Sequence, residues 1–238
     1  MRTPLLAISA VTAMAAMLAA TTPPAQAGIV IDYSLDGGAT FFTLASGASG
    51  TMVTGGSPTL GVFAISNISD MSNSPGSPNL AKVLSSSLDI QNTSGATASI
   101  KFVFSDTDFT APVTPPNIRV NSHIGGSVTV DNSNNLASFT SCLSLTNANL
   151  TTCTGATVVD GPGTPNITTG SYHDDQILNI AALTAPYSIT ETLDLTLGAG
   201  SDVGFQANTA LQPMPEPMSL SLLGVALVAL GAILRRRS

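Results

Sequence analysis

The alternation of apolar and polar residues through the middle of the chain is typical of β-strands. From residue 29 to residue 35 every second position is a large apolar or aromatic residue, and turn-forming residues follow at 36–38. Side chains on a strand point alternately to its two faces, so this pattern gives one face to a core. Similar segments predict further strands at residues 40–44, 60–68, 87–91, 98–104, 127–130, 137–145, 177–183, 187–197 and 203–207.

Turn formers separate these candidate strands. Gly, Asn and Pro cluster between them, for example at residues 131–135 and 161–163. Segment 45–57, which is rich in Gly and Ser, and segment 70–78, which carries Asn, Ser, Pro and Gly, are predicted to be loops. A sustained helical period is missing from this part of the sequence. Many short strands joined by such turns predict an all-β fold, and specifically a β-sandwich body at residues 28–213.

The first 27 residues have the order of parts found in a secretory signal peptide. Arg2 supplies a positive charge, residues 5–20 are apolar or small, and Ala25 and Ala27 fit the small-x-small pattern of a leader-peptidase site before Gly28. We therefore predict a cleaved leader at residues 1–27. The alternatives are a retained membrane anchor and a buried core helix.

The other end of the sequence predicts a membrane-spanning helix. Residues 218–234 are uncharged and nearly all apolar, and 17 residues in a helix reach roughly 25 Å, the short limit for crossing a bilayer. Arg235, Arg236 and Arg237 follow directly, and basic residues hold their side of a span in the cytoplasm. A cleaved leader places the body outside, so both ends predict the same topology.

Pro215, Glu216 and Pro217 stand just before this span. Two prolines around one residue keep the backbone extended, which leaves its amide groups open to a membrane-embedded peptidase. A Pro-Glu-Pro motif, a short apolar span and an arginine cluster in this order resemble the PEP-CTERM sorting domain, a tail also labelled ice-binding protein C-terminal domain. The resemblance covers about residues 213–238, and we assign residues 214–238 to this sorting signal.

The resemblance implies a partner and a destination. In that family the tail is recognised by an exosortase, a membrane cysteine transpeptidase of Gram-negative bacteria that make exopolysaccharide. Pro215, Glu216 and Pro217 would be the recognition motif, residues 218–234 a transient anchor in the inner membrane, and the arginines the stop signal. The mature protein would pass to the cell surface or the extracellular matrix. The alternative is a single-pass anchor that no enzyme cleaves.

The charge of the body excludes one class of partner. Charged residues make up 9% of the chain, and the body keeps only three of the seven basic residues against all but one of the 14 acidic ones. A net charge of about −10 repels phosphate backbones, so we expect no nucleic acid partner. Ser, Thr, Asn and Gly take the positions that charges usually occupy.

Cys142 and Cys153 are the only cysteines. In an exported protein, two cysteines eleven positions apart on neighbouring strands or one hairpin are most simply a disulfide. Two free buried thiols are the alternative.

The two histidines, His123 and His173, raise the possibility of catalysis. His173 precedes Asp174 and Asp175, and a histidine beside an acid can act as a general base. The usual nucleophile and zinc motifs are missing from the sequence, however. We expect two solvent-exposed loop histidines and no catalytic site.

Paired carboxylates suggest a second kind of site. Asp106 and Asp108 lie two positions apart after a predicted strand, and calcium favours such oxygen ligands. The further ligands of a full calcium loop are not in the sequence, and Asp174 and Asp175 are equally ambiguous. We predict solvated loop acids, no metal site and no cofactor.

These features together predict a non-catalytic surface or extracellular-matrix protein that works within exopolysaccharide or biofilm. One alternative is a carbohydrate- or calcium-binding β-sandwich module, although the body has few aromatic residues to form a sugar platform. A secreted hydrolase is the other alternative.

Overall fold

The computed structural model describes residues 28–132, 134–154, 156–158, 167, 170–214 and 224. Every regular element among the described residues from 28 to 214 is a β-strand, which confirms the all-β prediction. In chain order the strands are β1 (Ile29–Ser34), β2 (Phe42–Gly47), β3 (Met52–Gly56), β4 (Thr59–Leu60), β5 (Phe63–Ser66), β6 (Ile68–Ser72), β7 (Ala81–Asn92), β8 (Ala98–Phe109), β9 (Ile118–Val130), β10 (Leu136–Ser144), β11 (Thr157–Val158), β12 (Gly170–Ile180), β13 (Tyr187–Leu197) and β14 (Asp202–Pro213).

The strands form two antiparallel sheets that pack face to face as a β-sandwich. The six-stranded sheet has the order β11-β10-β13-β8-β1-β2, and the eight-stranded sheet has the order β12-β9-β14-β7-β5-β4, with β6 paired to both β7 and β3. The aromatic rings of Phe104 on β8 and Phe205 on β14 meet between the sheets, with their centroids 5.7 Å apart. This contact joins the two layers near the middle of the body.

Several strand boundaries differ from the prediction. Segment 60–68 is broken into three short strands, and Asn67 between the last two has a positive φ of 54° that ends the pairing of β5. The predicted loop 45–57 contains the end of β2 and all of β3, and the predicted loop 70–78 begins inside β6. These segments pair with neighbouring strands, and the pairing overrides their weak strand propensity.

The core consists of two hydrophobic clusters. The first contains Phe102, Phe104 and Phe205, and the second contains Phe109 and Tyr187, whose rings stack with centroids 5.6 Å apart. Both clusters are fully contained in the described body, with each of these side chains almost completely buried. The described residues of the body therefore form a core between the two sheets.

A buried layer of polar side chains separates the two clusters. On β13, Leu193 belongs to the first cluster and Ile189 to the second, and the buried Glu191 lies between them. On five other strands, a buried polar residue likewise lies between residues of the first cluster and residues of the second. We call these six residues the polar layer: Ser85, Asp106, Ser122, Ser141, Glu191 and Thr209.

The sequence predicts that segments at both ends of the chain direct export and sorting. These segments lie outside the described residues. These are the leader at residues 1–27 and, apart from Gly224, the span at residues 218–234. In the part of the chain that is described, none of the elements is a helix with the length and apolarity needed to cross a membrane.

Candidate functional site

An open groove of about 480 Å³ runs along the outer face of the eight-stranded sheet. Strand register aligns His173, Gly125 and Gln206 across β12, β9 and β14, and it aligns Asp175, His123 and Asn208 in the next row. The groove is lined by Ser87, His123, Gly125, Gly126, Ser127, Ser171, Tyr172, His173, Gly204, Phe205 and Gln206.

Glycines keep the groove open. A Cβ atom on Gly125 would lie 3.2 Å from Nε2 of His123 and 3.3 Å from the Tyr172 carbonyl oxygen. At Gly126 a Cβ atom would collide with the Gly204 carbonyl oxygen and approach the Tyr172 hydroxyl to 2.6 Å. Beneath this floor the Tyr172 ring is buried, and its hydroxyl donates to the Gly204 carbonyl oxygen at 3.0 Å.

The groove is lined by both histidines, which were predicted from the sequence to lie in loops. His123 lies on β9 and His173 on β12, so the prediction of loop histidines is wrong. Nδ1 of His123 lies 2.7 Å from Oδ1 of Asp175, and the side chain of this histidine is only 34% exposed. The carboxylate orients the imidazole and leaves Nε2 facing Gly125.

Among the described residues, the groove offers hydrogen-bonding groups, and the two aromatic side chains that line it, Tyr172 and Phe205, are buried. Its polar rim consists of imidazole, amide and hydroxyl groups from His173, Gln206, Ser127 and Ser171. Such groups donate and accept hydrogen bonds without a fixed charge, which suits a neutral ligand rich in hydroxyl groups.

Asp106 and Asp108 lie in the last part of β8, and the prediction that both are solvated loop acids is wrong. The pairing of β8 with β13 shifts register between Tyr187 and Ile189, which leaves an extra residue in β8 as a β-bulge. The bulge turns successive side chains in new directions. Asp106 is buried, and its carboxylate accepts hydrogen bonds from Ser72 and from the Gly50 amide.

Asp108 adopts a positive φ of 66°, and its carboxylate is held by three neighbours. Asn147 donates to Oδ1 at 2.7 Å, and Ser49 and Thr107 donate to Oδ2 at 3.0 and 3.2 Å. The hydrogen bond from Asn147 is the main reason that the pKa of Asp108 is lowered. Among the described residues, no three His, Cys, Asp or Glu side chains form a group suited to a metal ion.

Two fully buried acids lie deeper between the sheets. Burial raises the pKa of Glu191 to about 7, although Ser85 donates to Oε2 at 2.7 Å. Burial also raises the pKa of Asp70, and the nearby carboxylates of Glu191 and Asp106 raise it further. Neither Asp70 oxygen makes a hydrogen bond of normal geometry within the described structure, and the Met71 amide is the weakest of the groups that affect its pKa, which it lowers.

The predicted disulfide is confirmed. Cys142 on β10 and Cys153 in the following connection are bonded, with their Cα atoms 5.8 Å apart. Cys142 is completely buried beside Thr190 of β13. The bond fixes the connection to β10, the strand next to the edge strand β11 of the six-stranded sheet.

The residues predicted to direct export and sorting are only partly described. Ala25, Ala27, Pro215, Glu216, Pro217, Arg235, Arg236 and Arg237 all lie outside the described residues. Gly28 is described and buried, and it leads directly into β1. At the other end, the Met214 amide donates to the Asn117 carbonyl oxygen at 2.7 Å. The described part of the body therefore extends to the residue before the Pro-Glu-Pro motif.

Comparison with known proteins gives little similarity. No protein-family model matches the chain, and no curated protein matches it. The structure of the enzymatically active domain of tailspike protein 4 from bacteriophage CBA120 is 12% identical over 66% of this chain, with a TM-score of 0.28. This chain spans only 20% of that tailspike chain. A structure of the Gx strain of infectious bursal disease virus is 10% identical over 84% of this chain and 67% of its own, with a TM-score of 0.19.

Proposed function

We propose that the chain is a non-catalytic surface or extracellular-matrix protein that an exosortase sorts through its C-terminal tail. The observation that carries the proposal is the order of Pro-Glu-Pro at 215–217, an apolar segment at 218–234 and three arginines at 235–237. The leader at residues 1–27 brings the body across the inner membrane of a Gram-negative host. The tail then anchors the body until the exosortase releases or transfers it.

Features of the body support this proposal. A disulfide suits a compartment outside the cytoplasm, because cytoplasmic reductants keep thiols reduced. The described residues of the body form two buried hydrophobic clusters of their own, which is consistent with a body that folds before the tail is removed. Strand β14 ends at Pro213, and Met214 is still hydrogen-bonded to the body, so the described body ends directly before the Pro-Glu-Pro motif in the sequence.

The mass of the mature protein tests the sorting step. In an exosortase-containing host, the product is expected to lack both the leader and the terminal Arg-Arg-Arg-Ser. Glu216→Ala is expected to block tail removal, so that the protein accumulates in the inner membrane. Pro213→Ala is the matched control, because Pro213 ends β14 outside the motif. Intact-mass spectrometry of membrane and surface fractions measures each product.

Two results would contradict the sorting proposal. One is a surface-exposed wild-type product that still ends in Arg-Arg-Arg-Ser. The other is normal tail removal in a strain from which the exosortase has been deleted. Either result would leave a plain single-pass anchor as the explanation of the tail.

The groove favours a second candidate function, the binding of a neutral polysaccharide. Its rim carries hydrogen-bonding groups from three adjacent strands, and its glycine floor lets a flat ligand approach the backbone. A matrix protein that binds the polysaccharide around it would be retained there after release from the membrane.

Calorimetry with the host's own exopolysaccharide tests this binding. Gln206→Ala is expected to weaken affinity about tenfold, because one hydrogen bond of roughly 1.4 kcal/mol is lost at the groove. Gln176→Ala is the matched control, since Gln176 is exposed on β12 and does not line the groove. An absence of heat with the wild-type protein, or an equal loss in both variants, would remove this function.

A further inference from the structure

The backbone nitrogen of Gly28, the first residue after the predicted leader, points into the protein. Its N–H donates to Oγ1 of Thr107 at 2.8 Å in a buried hydrogen bond. A Cβ atom on Gly28 would collide with the carbonyl oxygen of Gly47 on β2, so only glycine fits here. The residue at the predicted cleavage point is therefore held firmly against the end of β8.

A chain of hydrogen bonds leads from this nitrogen to a carboxylate. The Thr107 hydroxyl accepts from Gly28 and donates to Oδ2 of Asp108 at 3.2 Å. The Ser49 hydroxyl donates to the same oxygen at 3.0 Å and lies 3.4 Å from Oγ1 of Thr107. Asn147 fixes Asp108 from the other side, where it donates to Oδ1 and accepts from the Asp108 amide, each at 2.7 Å.

We propose that Ser49, Thr107 and Asp108 form an N-terminal seat that binds the α-ammonium group of the mature chain. The proposal rests on the proposed export function, because it needs the leader to be cut before Gly28. Hydrolysis of the Ala27–Gly28 bond places the hydroxyl of water on the Ala27 carbonyl carbon and its hydrogen on the Gly28 nitrogen. The resulting amine takes up one further proton from solvent.

The seat is better matched to the product of cleavage than to the precursor. The precursor amide has one hydrogen and no charge, whereas the ammonium group has three hydrogens and a positive charge. The Thr107 hydroxyl accepts a hydrogen bond from this nitrogen, and the Asp108 carboxylate lies one hydrogen bond further along the chain. A charge that is partly removed from water gains most from such oriented partners.

The pH dependence of this effect has a definite sign. Asp108 is linked to the Gly28 nitrogen through Thr107, Asp106 lies two positions earlier on β8, and Asp70 on β6 interacts electrostatically with Asp106. Burial raises the pKa of Asp106 and of Asp70, whereas hydrogen bonds led by that from Asn147 lower the pKa of Asp108. The negative charge of Asp108 is therefore expected to hold the folded-state pKa of the α-amino group above its ordinary value of about 7.7–8. The added stability is fully present below that ordinary value and is lost as the pH rises through the folded-state pKa.

Three forms of the chain test the seat, all ending at Ser238 and studied in detergent micelles. One begins at Gly28, one begins at Ala27, and one carries an acetyl group on the Gly28 nitrogen. A protease that leaves no extra residue releases the first two from a fusion partner. At pH 6.5 the unfolding equilibrium constant of the Gly28 form is expected to be about fivefold smaller than that of either other form. The difference is expected to vanish by about pH 10, where the amine is neutral.

Variants identify the partner of the ammonium group. Asp108→Asn is expected to abolish the difference between the free and acetylated forms, whereas Asp174→Asn on β12 is expected to preserve it. If Asp108→Asn does not fold, the α-amino pKa of the wild-type Gly28 form, measured by nuclear magnetic resonance, is expected to exceed 8. Equal stability of the three forms at pH 6.5, or an α-amino pKa at or below its ordinary value, would overturn the proposal.

The export function is tested separately by sequencing the N-terminus of the protein from its host. A first residue other than Gly28 would contradict the predicted cleavage site, whereas the three purified forms would still report whether the seat binds an ammonium group. The two failures are therefore distinguishable.

Discussion

At pH 8 the Glu191→Gln variant is expected to be about 3 kcal/mol more stable to unfolding than the wild-type protein. Burial between the sheets raises the pKa of Glu191 from its ordinary 4.5 to about 7. Keeping the carboxylate charged in the folded state therefore costs about 1.4 kcal/mol for each unit of this shift. Glutamine has nearly the same shape, carries no charge and still accepts the hydrogen bond from Ser85. Urea unfolding followed by circular dichroism measures the difference.

The sign of the pH dependence follows from the same shift. Between pH 4.5 and pH 7 the folded protein keeps the Glu191 proton that the unfolded chain has lost, so stability falls as the pH rises. The wild-type protein and Glu191→Gln are therefore expected to be equally stable near pH 4 and to diverge up to pH 7. The raised pKa of Asp70 acts in the same direction. Asp36 acts oppositely below pH 4, because hydrogen bonds led by that from Ser34 lower its pKa to about 2.

An exposed acid on the same strand provides the control. Asp194 on β13 faces solvent and pairs with Lys101 at 3.2 Å. Asp194→Asn is expected to lower stability by less than about 1 kcal/mol, since surface ion pairs contribute little. A Glu191→Gln protein that is less stable than the wild type at pH 8 would show that the carboxylate is needed in its charged form. A difference that does not change between pH 4 and pH 8 would exclude the raised pKa as its cause.

The polar layer also explains which strands could be predicted from the sequence. Strands whose inner positions are all apolar stand out clearly, and 187–197 was predicted with the bounds of β13 even though Glu191 interrupts it. Strand β9 begins at Ile118, but only residues 127–130 were predicted, because Ser122 takes an inner position and Gly125 and Gly126 carry no side chain. In β7 the inner Ser85 hides the pattern in the same way, so the prediction began at residue 87.

Some features of the candidate sites could likewise be predicted from the sequence, and others could not. The disulfide could be predicted, because the chain has only two cysteines and its predicted compartment is oxidising. The pairing of His123 with Asp175 could not be predicted, since it depends on the register between β9 and β12. Acids such as Asp106 and Asp108 are rare within strands, so a sequence pattern assigns them to loops. Only the bulge in β8 shows how they are accommodated.

The disulfide and the N-terminal seat are connected through the segment that follows β10. Asn147 holds Asp108 with two hydrogen bonds, and the Ala148 carbonyl accepts a hydrogen bond from Ser188 at 2.7 Å. The bond between Cys142 and Cys153 closes the loop that contains this segment. Breaking the disulfide is therefore expected to make both the loop and the Asp108 carboxylate less well ordered.

Breaking the disulfide is expected to lower the free energy of unfolding by about 3 kcal/mol, as estimated for a closed loop of this length. Cys153→Ser is the preferred variant, because Cys153 is only half-buried and the buried Cys142 then keeps its packing. Urea unfolding with and without dithiothreitol measures the effect. The reductant is expected to destabilise the wild-type protein by the same amount and to leave Cys153→Ser unchanged.

The Asn147→Ala variant distinguishes the stability contributed by the hydrogen bonds of the loop from that contributed by the disulfide. It removes both hydrogen bonds to Asp108 and keeps the disulfide, so we expect a loss of about 1–2 kcal/mol that is independent of reductant. If the disulfide acts partly by holding Asn147 in place, the effects of Asn147→Ala and Cys153→Ser will be less than additive. Full additivity would instead mean that the bond stabilises the protein only by restricting the unfolded chain. An unchanged stability of Cys153→Ser would contradict both accounts.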